Sequence, residues 1–294
     1  MPSLKEVRTR IESVNSTKQI TSAMKMVSAS KLRRAQNAIL KMRPYANKLN
    51  EILQNLSKSI ENSDDGIYSE ERPVENILFV VIASNRGLCG AFNTAVIKEA
   101  NKLIASEYQK QLNEGQVSIH GFGKKVIDFY NNSKYPLVGK EVDIFLDLSF
   151  EKIAEIAEKL MAEFVAKKYD KIILVYNRFK NAAVSELMTE QFLPITTNES
   201  SGQEQIVEAD YIFEPNKQQI VKELIPKSLK IQFYKAILDS FASEHGARMT
   251  AMHKATDNAE ELLKGLKLSY NKARQASITN EILEIVSGAE ALKG

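Results

Sequence analysis

The segment SNRGLCGAFN, Ser84 to Asn93, carries the residue types most suggestive of chemistry. It follows an apolar run and opens a helical pattern, where an α/β fold can cradle a phosphate on backbone N–H groups. Its spacing is neither G-x-x-x-x-G-K-[ST] nor G-x-G-x-x-G, and it holds no acidic residue to bind a metal. Gly87 and Gly90 are more simply demanded by a tight strand-to-helix turn. Cys89 could serve as a nucleophile only beside a base; His120 is the candidate, at the end of a neighbouring strand, with no third group to orient it. GFGKK, Gly121 to Lys125, resembles an anion-binding turn of a kind common to strand–helix connections. His120, His245 and His253 lack zinc-ligand spacing, and the single cysteine forms no internal disulfide. No catalytic residue, cofactor or metal is expected of this chain.

The remaining chemistry is charge. Between Ser3 and Asn50 there are eleven basic and two acidic residues, a net +9 in a chain whose total is only +3. Such a stretch suits an anionic partner, whether nucleic acid, a membrane surface or an acidic protein loop. A basic coiled coil that binds nucleic acid is the alternative reading; against it, no aromatic residue precedes Tyr45 to stack on bases. No run of about 18 apolar residues occurs, and MPSLKEVRTRIE is charged from the outset, unlike a secretory signal. The protein is expected in the cytoplasm.

These residues need elements to hold them. Pro44 is the only proline between Ser3 and Asp65, and the first glycine is Gly66, so helix is the default there. Leu4, Val7, Ile11 and Val14, then Leu32, Ala35, Ile39, Met42, Ala46, Leu49, Leu53 and Leu56, keep one heptad register, which predicts a coiled-coil seam. Between those runs the register lands on Lys18, Thr21, Lys25 and Ser28, with apolar Ile20, Met24 and Val27 one residue earlier. Either the seam rotates there or those apolar residues face a third party. Pro44 either bends the helix or is absorbed by packing.

The far end mirrors this pattern. Leu238, Phe241, Met252, Ala255, Ala259, Leu262, Leu266 and Ala273 keep three-four spacing, broken at His245 and Arg248, and predict a helix from about Lys227 to Val286. Two such helices joined through a domain pair most economically antiparallel. The last turns, SITNEILEIVSGAEALKG, should project past the pair. Between the helices, ILFVVIA, VSIHGFG, KIILVYNRF and Val184 to Pro194 read as strands alternating with helices, hence a mostly parallel sheet with right-handed crossovers. The expected fold is α/β plus a long antiparallel coiled coil: N- and C-terminal helices pair as a shaft, with a Rossmann-like βαβ domain between them. The expected boundaries are 1–62 for the N-terminal shaft helix, 63–75 for a linker, 76–208 for the α/β domain and 209–294 for a foot and C-terminal shaft helix.

The opening SLKEVRTRIESVNSTKQITSAMKMVSASKLRRAQ, the loop SNRGLCGAFN and the closing ARMTAMHKATDNAEELLKGLKLSYNKARQASITNEILEIVSGAEAL resemble the γ subunit of bacterial F-type ATP synthases. The resemblance covers both ends almost without gaps and the middle more loosely. It implies a rotor shaft inside an α3β3 ring, an α/β domain beside the ε subunit, a foot on the membrane-embedded c ring, and catalytic ATP sites on β with an arginine from α. It implies that Met24, with Lys18 and Lys25 around it, passes an acidic loop of β. Arg248, Gln275, Thr279 and Glu281 match positions that stabilise the shaft and contact β, and Ile282, Ile285 and Val286 form the bearing tip. Tyr211, Phe213 and Glu214 match the foot on the c ring and ε, with Phe213 where relatives carry tyrosine, which removes one hydroxyl contact. A peripheral place on the cytoplasmic face of the inner membrane, held only through the complex, follows from the same resemblance. Cys89 being the sole cysteine, thiol regulation of the chloroplast type is not expected.

Overall fold

In the computed structural model, residues 3–57, 67–70, 72–195 and 217–291 are described. The elements run α1 (Leu4–Ser57), β1 (Ile77–Ile82), α2 (Phe92–Glu107), α3 (Gln109–Asn113), β2 (Val117–Phe122), α4 (Lys124–Tyr130) and β3 (Leu137–Glu141). A 3-10 turn at Asp143–Phe145 then leads to α5 (Phe150–Val165), β4 (Lys171–Phe179), β5 (Ser185–Leu193) and α6 (Lys217–Ala291). The chain divides into two compact units, residues 1–28 with 248–294, and residues 29–247. Among the described residues, no helix is long and apolar enough to cross a membrane.

The unit of residues 29–247 is built on a five-stranded sheet of order β3-β2-β1-β4-β5. The first four of these strands run parallel, and β5 returns antiparallel to β4. The wholly buried ILFVVI of β1 lies at its centre, as a strand covered on both faces requires. One face packs Phe79 and Val81 against Val96, Ala100 and Ile104 of α2 and Val126 of α4. The other packs Leu78, Val80 and Ile82 against Ile153, Leu160 and Phe164 of α5 and against Leu229, Phe233, Ala236 and Ile237 of α6.

Two expectations change here. The C-terminal helix begins at Lys217 rather than near Lys227 and runs through Pro226, as α1 runs through Pro44, each proline forfeiting one i→i−4 hydrogen bond. In addition, residues 229–237, placed in the C-terminal shaft helix by its expected bounds, complete the core of the sheet. A stripe of apolar residues announces that a helix face is buried, not what buries it.

Strand β3 had no forecast. It is short, half-buried and at the sheet edge, and it carries Gly139, which lowers strand propensity. The glycine is a packing demand, because a Cβ there would lie 2.4 Å from the His120 ring. That imidazole stacks on Phe122 with ring centroids 5.1 Å apart.

The unit of residues 1–28 with 248–294 is an antiparallel helix pair. Lys18 lies opposite Glu260, Thr21 opposite Thr256 and Lys25 opposite His253. Its seam uses Leu263, which is buried, whereas Leu262, taken as the seam residue, faces outward. Two adjacent leucines offer steps of three or four from Ala259, and only the partner helix chooses between them.

Candidate functional site

The loop after β1 spends its polar groups on its own geometry. Asn93 Oδ1 accepts from the Ser84 N–H and hydroxyl, both at 2.9 Å, although one hydroxyl proton cannot also serve Arg86 O at 2.6 Å at full strength. Asn85 bridges outward, its Nδ2 donating to Val142 O at 2.8 Å and its Oδ1 accepting from Lys124 N at 2.9 Å. Gly123 has φ +92°, and a Cβ there would lie 2.4 Å from Ala83 O, so the second glycine turn is fixed by close approach to the first. The two turns therefore brace each other. Cys89 Sγ accepts from Asn93 Nδ2 at 3.2 Å, while His120 Nε2 lies 3.6 Å from Glu141 Oε1. The two belong to separate networks.

A doubly wound fold keeps its ligand at the carboxyl ends of the strands. Here α6 crosses that end: Ser240 Oγ reaches Ile82 O at 3.5 Å, Ser243 Oγ donates to Asn177 O at 3.0 Å, and Gly246 lies against Ala182. The ligand position of the fold is filled by the protein's own helix. Among the described residues, no group of His, Cys, Asp and Glu could hold a metal ion.

The helix pair offers a different kind of site. Its seam does not rotate at the polar positions, since Thr21 is 8% and Ser28 2% exposed. Ile20 and Val27, 60% and 58% exposed, face outward with Met26, and Met24 is half-buried beside them. The heptad count signalled this stripe, and the closed seam decides which way it points.

Lys18 and Lys25 are engaged within the pair. Lys18 Nζ lies 3.1 Å from Glu260 Oε2, and Lys25 Nζ lies 3.3 Å from His253 Nδ1, itself 3.4 Å from Asp257 Oδ2. The hydrogen bond and charge of Lys18, with Lys264 adding, hold the Glu260 carboxyl below the usual carboxylate range. Glu260 was not singled out in the sequence, because an acidic residue on a solvated helix face carries no signal of a cross-strand partner.

Arg248 is buried, whereas Gln275, Thr279 and Glu281 lie on the exposed end of α6. Thr279 Oγ1 donates to Gln275 O at 2.9 Å, and Glu281 Oε1 lies 3.5 Å from Ser277 Oγ. With Lys18 opposite Glu260, Leu4 meets residue 274, so residues 275–291 extend about 25 Å beyond it at 1.5 Å per residue. Ile278, Ile282, Leu283, Ile285 and Val286 are all exposed on that extension. Tyr211, Phe213 and Glu214 lie outside the described residues. An unpaired apolar helix end opens readily, so limited proteolysis of the free chain should cut first after residue 277, with that cut suppressed when a partner covers the tip. Mass spectrometry of the first fragments checks this; first cleavage inside the sheet unit would contradict it.

A family model described as ATP synthase matches residues 3–292. The ATP synthase gamma chain of Christiangramia forsetii is 57% identical over 294 residues, covering both chains completely. That of Chlorobaculum tepidum is 44% identical over 293 residues, again covering both chains completely. Among solved structures, the central stalk/c-ring part of the Tetrahymena thermophila mitochondrial ATP synthase superposes with TM-score 0.60 at 25% identity, covering 80% of this chain and 99% of that one. The rotor of the Euglena gracilis mitochondrial ATP synthase gives TM-score 0.64 at 22% identity over 94% and 98% of the two chains, which speaks to the fold. Matched by the family model over residues 3–292 and by gamma chains at 44% and 57% identity over its whole length, this chain belongs to the ATP synthase gamma chain family.

Proposed function

We propose that the chain is the central-stalk rotor subunit of an F-type ATP synthase. It turns inside an α3β3 ring and couples proton flow through the membrane sector to ATP synthesis or hydrolysis at the β subunits. It carries no catalytic site of its own, a reading supported by the filling of the sheet crevice by Ser240, Ser243 and Gly246. Its other partners are the ε subunit and the c ring, met through a foot that includes Tyr211, Phe213 and Glu214. The complex holds it at the cytoplasmic face of the inner membrane.

The observation that carries this reading is the outward stripe of Ile20 and Val27 on a helix whose seam is already closed. A shaft biases its surroundings only through contacts that differ between their states. A stripe on one side of a helix pair meets each of three surrounding subunits in turn. Burying one Ile or Val side chain contributes about 1.5–3 kcal/mol, enough to change a two-state population tenfold or more.

Lys18→Glu would be an ambiguous probe, because it also breaks the pair with Glu260. Ile20→Ser with Val27→Ser leaves the seam intact and should change the stability of the free chain by no more than about 0.5 kcal/mol per site. In inverted vesicles the variant complex should assemble and hydrolyse ATP, while proton uptake per phosphate released falls several-fold. Dye quenching against phosphate release measures the ratio. An unchanged ratio would refute the role given to the stripe.

A further inference from the structure

We infer that His253 is a protonation switch in the helix pair, holding Lys25 against the pair while its imidazole is neutral and releasing Lys25 outward once the imidazole is charged. A single nitrogen stands between two opposite demands. His253 Nδ1 lies 3.3 Å from Lys25 Nζ, in hydrogen-bond geometry, and 3.4 Å from Asp257 Oδ2, at ion-pair distance. An ammonium only donates and a carboxylate only accepts. Nδ1 therefore serves Lys25 when it carries a lone pair and Asp257 when it carries a proton, never both at once. With the imidazole neutral and its proton on Nε2, Lys25 is tied across the seam.

Charging the ring reverses the choice. Nδ1–H then donates to Asp257, one turn along the same helix, and Lys25 is left facing a like charge with no acceptor on the ring. The charged groups around His253 come from two helices: Lys25 on α1, and Asp257 and the adjoining Lys254 on α6, with buried Arg248 on an earlier turn and the Lys18–Glu260 pair and Lys264 beyond. Glu260, the next acid along α6, is already engaged by Lys18 and Lys264. The side chains of His253 and Asp257 are 57% and 62% exposed, so a proton reaches them without any opening of the pair. Acid thus adds one positive charge to the pair and frees a second beside Met24. An anionic surface within a screening length of about 8–10 Å would be held more tightly as pH falls. That consequence rests on the proposed rotor function; the switch itself stands on the helix pair alone.

The test uses the free full-length chain at about pH 8 and about pH 5, the interval in which an imidazole changes charge. Imidazole nitrogen spectra should show His253 Nδ1 bare and Nε2 protonated at the higher pH, and both protonated at the lower. Relaxation of the Lys25 ε-methylene protons by a neutral gadolinium chelate reports its exposure, and should rise several-fold on going from the higher pH to the lower. His253→Asn places an amide oxygen where Nδ1 stood and removes the titrating ring, so the relaxation should stay low at both. His253→Lys, charged throughout and without an acceptor, should leave it high at both. A proton on Nδ1 at the higher pH would overturn the inference, since Lys25 would then have no acceptor to lose. So would a flat response of the unaltered chain, which would mean that Lys25 stays within the pair, on Asp257 for instance. A rise that persists in His253→Asn would overturn it too, because Asp239, which also titrates in this interval, and other groups remain in that variant. None of these outcomes bears on the rotor reading, which stands or falls on the proton-to-phosphate ratio.

Discussion

Phe233→Ala should lower the unfolding free energy of the sheet-bearing unit by about 3–5 kcal/mol, the range for emptying a buried aromatic site. Phe233 is fully buried on α6, with its ring centroid 5.7 Å from Phe122 and 5.5 Å from Phe192. Its removal opens a cavity under β2 and β5 that the two rigid rings of Phe122 and Phe192 cannot close. A fragment ending at residue 208 would lack the whole of this cover, so it should bind hydrophobic dye and melt without cooperativity. Independent folding of residues 76–208 is therefore not expected, complete though their βαβ units are. Urea unfolding followed by circular dichroism gives the number. A loss below about 1 kcal/mol would mean that α6 does not close that face.

Asp239→Asn should act in the opposite direction and only over part of the pH range. Asp239 is 5% exposed, and burial pushes its carboxyl up to about 6 despite the attraction of Lys235, Arg178 and Arg43, with Glu190 adding to the rise. Lys235 lies on the same helix, Arg43 on α1, Arg178 on β4 and Glu190 on β5; Glu190 itself accepts from Tyr176 and Gln232. For an acid whose folded pKa exceeds its unfolded value, the folded state binds the extra proton, so stability falls as pH rises between about 4 and 6. The penalty is absent below about pH 4 and complete above about pH 6, where a shift of two units corresponds to about 3 kcal/mol. Asparagine keeps the shape and carries no charge. The variant should gain up to about 3 kcal/mol at pH 7.5 and little at pH 4. Urea melts of both proteins at the two pH values check the sign, and a gain equal at both would show that charge is not the cause.

A variant carrying both changes is informative because the sites lie on neighbouring turns of one helix. Their effects need not add, since residues sharing packing partners commonly couple by 0.5 kcal/mol or more, by general experience. The buried polar run of α6, from Asp239 through Ser240 and Ser243 to Glu244 and His245, marks a helix enclosed by protein without being apolar. Its hydroxyls answer strand-end carbonyls that would otherwise await a ligand or water.

Local periodicity was legible without coordinates. The long helices and the central strand follow from residues near one another in the chain, whereas whether the α1 seam stays on Lys18, Thr21, Lys25 and Ser28 or rotates there is decided by the partner helix, which buries Thr21 and Ser28. Helical and strand periods are properties of contiguous residues, so a sequence determines them by itself. Tertiary structure decided the rest. It chose Leu263 over Leu262, turned Ile20 and Val27 outward, joined Lys18 to Glu260, made an edge strand of a glycine-bearing segment because His120 needed the space, and spent residues 229–237 on the sheet. Each of those outcomes depends on what a second element, from tens to more than two hundred residues away, presents to the first. A one-dimensional pattern records that a face must be covered and leaves the cover to packing.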